Sequence, residues 1–359
     1  MTKLGDHLIE CIRQDGPLPV SRFMAMALGH PKWGYYTNRD PIGRGGDFIT
    51  APEISQMFGE LIGLWCAERW QALGAPDPFI FAELGPGRGT LMVDALRAGG
   101  ALPGFNQAAQ IHLVETSPLL RAAQRTALKS RQVNWHDRIA DLPPGPTITI
   151  ANEFFDALPI RQFQRSEAGW HERMVGCKDG RLYLLLTPGA IPAAPLAETI
   201  QHAPNGAIVE VSSARTNAMA ELAQNLVSHG GVALIIDYGH AASGVGDTLQ
   251  AIQAHEFVDV LESPGAVDLT AHVDFQALGE AARQAGARTL GPVSQADFLT
   301  HLGIATRAEI LQRNATDAQA VAVGAALHRL TDRDQMGQLF KVMAVTRCGD
   351  DRAPGFVEV

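Results

Sequence analysis

The run Phe79-Ile-Phe-Ala-Glu83-Leu-Gly85-Pro-Gly87-Arg-Gly89-Thr90 constrains this chain more than any other segment: an apolar strand ends in a carboxylate and three glycines spaced two apart. A strand, a small-residue turn and a following helix are the parts with which an α/β domain brings backbone against a nucleotide-like ligand. The spacing decides which ligand. A dinucleotide fingerprint needs G-x-G-x-x-G, and here the third glycine comes one residue early; the phosphate-binding G-x-x-x-x-G-K-[ST] pattern fails because no lysine follows. Glu83 would repel a pyrophosphate and attract a cation. A nucleoside with a positive, phosphate-free tail fits both constraints, which describes S-adenosylmethionine (SAM) better than NAD or ATP.

Composition narrows the setting. With 359 residues, 46% of them hydrophobic, the chain can bury one large domain with an accessory layer, or two domains. A formal charge of -9 without a dense basic block argues against a nucleic-acid partner. Cys11, Cys66, Cys177 and Cys348 lie far apart with no CxxC or Cys/His cluster, so neither a metal site nor a disulfide scaffold is expected, and a reducing cytoplasm is the expected compartment. The segment Met1 to Arg13 lacks a signal-peptide core, and no stretch reaches the roughly 18 apolar residues of a membrane span.

Along the chain, helices are expected over 4–14 and 20–29, and a helix beginning around Pro52 carries Ile54, Phe58, Leu61, Ile62 and Trp65 at helical spacing. From residue 79 strand and helix alternate: strands over 79–84, 110–115, 133–137 and 147–153, with helices over 89–98 and 118–128. Four apolar strands with short crossovers imply a mostly parallel sheet covered by helices on both faces. Residues 161–187 read as antiparallel strands of an insertion, 214–228 as a helix, 231–239 as a core strand, 295–338 as mainly helical and 339–346 as a terminal strand. The expected organisation is an N-terminal helical cap with a cofactor-proximal loop over 1–75, and a main domain over 76–359 with an insertion at 160–205 and a helical addition at 295–338.

Several polar groups fall at strand ends. Gly85, Gly87 and Gly89 let backbone amides approach a carboxylate, and Glu83 can meet an ammonium directly or through water. Glu115 can accept both hydroxyls of a ribose. Asp137 can accept the adenine amino group and is equally readable as a turn aspartate. In Asn152-Glu153-Phe-Phe-Asp156-Ala-Leu-Pro159 two carboxylates can orient a guanidinium or amine while Asn152 adds a carbonyl acceptor; a helix start with Asp156 exposed is the plain alternative. Asp47, Thr50 and Glu53 either meet the same pocket or simply cap a loop. His272 can serve as a general base or make a structural hydrogen bond, and Asp237-Tyr238-Gly239 marks another strand exit.

Taken together the blocks Gly45-Gly-Asp-Phe-Ile-Thr-Ala-Pro-Glu53, Glu83-Leu-Gly-Pro-Gly-Arg-Gly89, Val114-Glu-Thr-Ser-Pro118, Ala151-Asn-Glu-Phe-Phe-Asp-Ala-Leu-Pro159, Ile236-Asp-Tyr-Gly239, Asp268-Leu-Thr-Ala-His-Val-Asp-Phe275 and Leu339-Phe-Lys-Val-Met-Ala344 resemble the MidA family of SAM-dependent methyltransferases, bacterial relatives of the mitochondrial protein-arginine methyltransferase that helps assemble respiratory complex I. The resemblance implies a class I, Rossmann-like fold: a mostly parallel seven-stranded sheet with an N-terminal helical cap and a small antiparallel insertion. It implies SAM as cofactor and S-adenosylhomocysteine as product, held by Gly46, Thr50, Glu53, Glu83, Gly85, Gly87, Gly89, Glu115, Thr116, Asp137 and Asn152. By the same analogy Glu153 and Asp156, with Asn152 and His272, are the candidate catalytic residues, and the acceptor is an arginine of a protein such as a complex I subunit. No nucleic acid, membrane insertion or metal is implied, and monomer and homodimer both stay open. A small-molecule methyltransferase and a SAM-binding assembly chaperone without turnover are the alternatives.

Overall fold

The structure is a computed structural model that describes residues 2–38, 50–190, 200, 203–253, 256–347 and 352–356. The chain forms two compact units, one of residues 1–48, 156–216 and 242–272, the other of residues 49–155, 217–241 and 273–359.

The second unit is built on one sheet. Its strands are Phe79–Leu84 (β1), Ala109–Val114 (β2), Val133–His136 (β3), Thr147–Asn152 (β4), Gly231–His240 (β5), Arg288–Ser294 (β6) and Phe340–Thr346 (β7), in the order β6-β7-β5-β4-β1-β2-β3, with Val273–Asp274 adding to β5. β7 pairs antiparallel with β5 and β6; the other pairings are parallel. Every residue of β1 and β4 is buried, as an unbroken apolar run requires when helices cover both faces. The order reverses between β1 and β4, so the carboxyl ends of these two strands flank the crevice where such sheets take ligands. Phe79, Phe81, Ile111, Leu113, Ile148, Ile150, Val232 and Leu234 form the core on one face with helices Gln56–Ala72 and Thr90–Gly99. These helices touch so closely that a Cβ on Gly63 would lie 2.4 Å from the Ala95 backbone.

Two expectations shift here. The helix expected from Pro52 is two, Ala51–Ile54 and Gln56–Ala72, because Ser55 turns extended (φ -162°) and its hydroxyl accepts from the Met57 amide at 3.2 Å; serine caps a helix better than it continues one. The edge strand β6 was not legible: Gly291-Pro292 interrupts it, and its register against β7 slips between Leu290 and Val293.

The first unit is antiparallel. Gly169–Lys178 pairs with Arg161–Ser166, Arg181–Leu186 and the two-residue strand Leu18–Pro19, and Arg161–Ser166 also pairs with Ile208–Val211. A separate sheet joins Gln250–Gln253 to Glu256–Val258 and Asp268–Thr270. Helices Lys3–Asp15 and Val20–Gly29 share one core with these pieces, in which Leu4, Leu8, Phe23, Tyr35, Ile160, Val175, Val267 and Leu269 are buried.

Candidate functional site

At the end of β1 the Glu83 side chain is 2% exposed. The Met92 backbone amide donates to it, while its Oε2 has no hydrogen-bond partner among the described residues. Burial outweighs that single donor and pushes the carboxyl from its ordinary 4.5 up to about 8. Gly85, Gly87 and Gly89 follow with φ of 61°, 53° and 85°, the left-handed region that glycine enters without strain. A Cβ on Gly85 would meet the Phe154 ring at 3.1 Å. Gly89 caps helix Thr90–Gly99, so the turn presents backbone and a helix N-terminus where a carboxylate is favoured.

Glu115 follows β2 and is buried. The Ser117 amide donates to its Oε1 at 2.7 Å and Gln124 Nε2 to its Oε2 at 3.3 Å; burial raises its pKa, opposed by these donors, the Thr116 amide and the Arg121 charge. Thr116 itself is exposed. Asp137 is exposed and pairs with Arg121 at 2.8 Å, and Arg121 also donates to the carbonyls of Glu115 and His136. Gln124, which the sequence reading passed over, ties these parts together: its Nε2 also donates to the Gly87 carbonyl at 2.7 Å, and its Oε1 accepts from Trp135 Nε1 at 2.8 Å. The available signal was its place one turn after the buried Leu120 on helix Pro118–Ala127.

β4 ends at Asn152, 7% exposed, whose Oδ1 has no partner among the described residues. Glu153 has φ 51°, an uncommon backbone state for a residue with a side chain. Its Oε1 accepts from the Ala51 amide and from Asn152 Nδ2, both at 3.0 Å. Thr50 caps the short helix Ala51–Ile54 through its carbonyl, which accepts from the Glu53 and Ile54 amides, and Glu53 Oε1 accepts from the Thr90 hydroxyl at 2.5 Å. Gly46 and Asp47 lie outside the described residues. Glu53, Glu83, Gly85, Gly87, Gly89, Glu115 and Asn152 thus belong to one unit, with Thr50 beside them.

Asp156 and His272 belong to the other. Asp156 is 5% exposed, and its carbonyl accepts from the Ala271 amide at 3.2 Å. His272 donates its amide to the Thr248 hydroxyl at 2.9 Å. Two residues that the sequence reading did not single out organise this region. Arg215, buried near the start of helix Ser213–His229, donates to the carbonyls of His272 at 2.6 Å, Ala271 at 2.8 Å and Asp156 at 3.0 Å. Tyr36 donates its hydroxyl to Asp268 Oδ1 at 2.9 Å; burial, followed by the charges of Asp268 and Asp156, drives its pKa well above the usual phenol range.

Chemically, the sheet unit offers two buried oxygens, Glu83 Oε2 and Asn152 Oδ1, without donors among the described residues, a glycine turn that exposes backbone, and a carboxylate after β2. These suit the ammonium, carboxylate and ribose of a SAM-type nucleoside. The described residues hold no cluster of metal-ligating side chains and no helix long and apolar enough to cross a membrane.

Known proteins carry the same pattern. The family model described as "Putative S-adenosyl-L-methionine-dependent methyltransferase" matches residues 61–293. The mitochondrial protein arginine methyltransferase NDUFAF7 of Danio rerio is 37% identical over 94% of this chain and 86% of its own length. The human protein of that name is 38% identical over 87% of this chain and 76% of its own. A crystal structure of a Burkholderia thailandensis protein bound to S-adenosyl-homocysteine has a TM-score of 0.86 and 31% identity, covering 98% of this chain and 93% of that one. The fold is therefore the class I SAM-dependent methyltransferase fold, and SAM is the cofactor, leaving as S-adenosylhomocysteine. The cytoplasmic setting expected from the sequence is corrected by these names, since both relatives are mitochondrial proteins. Cysteine spacing carries no address that tells one compartment from another. With a model matched over residues 61–293 and relatives at least 37% identical along most of its length, the chain belongs to the MidA family of SAM-dependent methyltransferases.

Proposed function

We propose that this methyltransferase modifies an arginine side chain of a protein, with a respiratory complex I subunit as the target class that the family resemblance suggests. The observation that carries the reading is the 37% identity, over 94% of the chain, to a relative named a protein arginine methyltransferase. The cofactor supplies a methyl carbon bonded to a positive sulfur. The acceptor nitrogen forms its bond to that carbon as the carbon–sulfur bond breaks, the electron pair passes to sulfur, and the nitrogen gives up a proton. Alignment and electrostatics therefore matter more than a strong base.

Roles follow for the chain's own residues. Glu83, Gly85, Gly87, Gly89 and Glu115 hold the cofactor, with Thr116 and Asp137 at the exposed side and Thr50 and Glu53 on the short capped helix that precedes Gln56–Ala72. Asp156 is the proposed guanidinium holder, because a buried carboxylate accepts two parallel N–H bonds from arginine. His272, with its backbone fixed by Thr248 and Arg215, is the proposed proton acceptor. Glu153 already accepts from Ala51 and Asn152, so its part in holding the acceptor is the weaker half of the expected carboxylate pair. The test is incubation of the purified chain with methyl-labelled SAM and host-cell extract, followed by mass spectrometry of labelled peptides. Methylarginine on a discrete protein is the expected result; label only in small molecules, or on another residue type, would overturn the reading. A homodimer is a further proposal, checked by light scattering.

A further inference from the structure

We propose that the outer edge of strand Arg181–Leu186, with the basic cavity at the tip of its hairpin, is a docking site for an extended acidic segment of a partner protein, which adds there as one more strand. The site lies within the antiparallel unit, uses no residue of the cofactor side, and is independent of what the acceptor is.

The turn fixes which backbone groups face outward. Lys178 lies opposite Arg181, so Asp179 and Gly180 form a two-residue loop, and both hold positive φ, 49° and 74°, as a type I′ hairpin requires. In such a hairpin the residues that flank the loop exchange hydrogen bonds, and bonded and non-bonded pairs then alternate along the ladder. Tyr183 and Leu185 therefore direct their backbone groups to Gly176 and Met174. Those of Leu182, Leu184 and Leu186 point the other way, to an edge that pairs with no strand among the described residues. Natural edges are guarded by proline, by inward charges or by shortness. This one is six residues long, has no proline, and carries its single charge, Arg181, at the start. Leu182 and Leu184 anchor it from behind on the core of the unit, so the edge is held extended before anything binds.

Charge selects the occupant. Lys178, Asp179, Arg181 and Tyr183 line a cavity of about 510 Å³ at the hairpin tip. None of these side chains has a hydrogen bond or ion pair to another described residue. Two cations against one carboxylate leave the cavity net positive in a chain whose formal charge is -9. Tyr183, 43% exposed, adds an aromatic wall and a hydroxyl donor. Gly176 seats that ring: a Cβ there would lie 3.2 Å from Tyr183 Cε1. An acidic side chain answers the cavity, and a backbone in the β conformation answers the leucine edge. A second copy of this chain fits less well. Two-fold pairing centred between Tyr183 and Leu184 sets Arg181 beside Leu186 of the other copy, so no carboxylate reaches the cavity.

The test is fluorescence anisotropy with the full chain and a labelled peptide of alternating valine and threonine that ends in two glutamates. This probe is expected to bind about tenfold more tightly than the same peptide ending in two lysines. N-methylation at alternate residues has two registers. The one that blocks the amides facing the protein is expected to cost about tenfold, and the other to stay within about twofold. Lys178→Glu combined with Arg181→Glu is expected to weaken the glutamate peptide about tenfold while S-adenosylhomocysteine affinity, by calorimetry, stays within about twofold. No binding of the glutamate peptide, equal binding of the two N-methylated forms, or an unchanged affinity in the charge variant would overturn the proposal. A dimer in sedimentation that excludes the peptide would overturn it as well, by giving the edge to a second copy. Should the charge variant fail to fold by circular dichroism, Lys178→Gln with Arg181→Gln is read by the same criteria.

Discussion

In the sheet unit β1, β2 and β3 follow one another in sequence and lie side by side, and Glu83, Glu115 and Asp137 stand at or just past their ends. The other unit gathers its core from residues 1–48, 156–216 and 242–272, and buried polar side chains join the pieces. Arg215 there binds carbonyls 56 to 59 residues away, and Tyr36 reaches Asp268 across 232 residues. A binding loop written by local spacing and a region assembled by long-range donors should fail differently. The first should lose ligand when its backbone freedom is removed. The second should lose stability when a donor is removed.

The largest effect is expected from Gly85→Val. It forces a β-branched residue into a left-handed turn with φ 61° and sets its Cβ 3.1 Å from Phe154. The two penalties together should weaken S-adenosylhomocysteine at least about 100-fold by calorimetry. Affinity kept within about threefold would break the idea that local spacing makes the site.

Arg215→Ala should come next, destabilising its region by about 3 kcal/mol because three carbonyls lose a charged donor in a buried place. Hydrogen exchange at the Ala271 amide, which donates to Asp156, should accelerate in step. Arg215→Lys should recover part of the protection and not all, since a point charge cannot span three acceptors. Unchanged exchange at Ala271 would remove long-range donors as the organising principle of that unit.

Glu83→Gln is expected to weaken SAM about tenfold by removing the charge proposed to meet the ammonium. It also carries a pH signature. The folded, cofactor-free carboxyl titrates at about 8 against 4.5 when unperturbed, so between those values the folded state keeps a proton that the unfolded state has released. Stability of the cofactor-free protein should therefore fall as pH rises from about 5 to about 8, while SAM affinity rises as Glu83 ionises. Chemical denaturation across that window should show a flatter profile in Glu83→Gln. An unaltered slope would mean that another group titrates.

Tyr36→Phe is the smallest change, about 1 kcal/mol, because one hydroxyl donor to the buried Asp268 is lost and the ring stays. A loss well above that figure would sharpen the comparison by showing that Tyr36 and Asp268 act as part of a larger network.

Legibility in the sequence followed the same division. Strands β1 and β4 were readable because a strand buried on both faces is an apolar run bounded by turns, and the half-exposed β3 was readable only from its place in the alternation of strand and helix. Arg161–Ser166, Gly169–Lys178 and Arg181–Leu186 were visible as antiparallel strands, yet their shared core with Lys3–Asp15 and with residues 250–270 was not. Gln124 was missed for a related reason. A single glutamine on an amphipathic helix looks like any polar residue until the helix packs and brings it to Gly87, Glu115 and Trp135.

The sequence by itself determined the sheet except for its edge strand β6, the glycine turn and hence the class of cofactor, since these depend on periodicity and backbone freedom over a few neighbouring residues. Only the tertiary structure decided that Glu153 grips Ala51 and Asn152, that Gln124 links Gly87, Glu115 and Trp135, and that Arg215 and Tyr36 bind distant pieces of one unit. Those contacts join residues whose proximity no local pattern encodes, because a buried donor selects its acceptor by position in space.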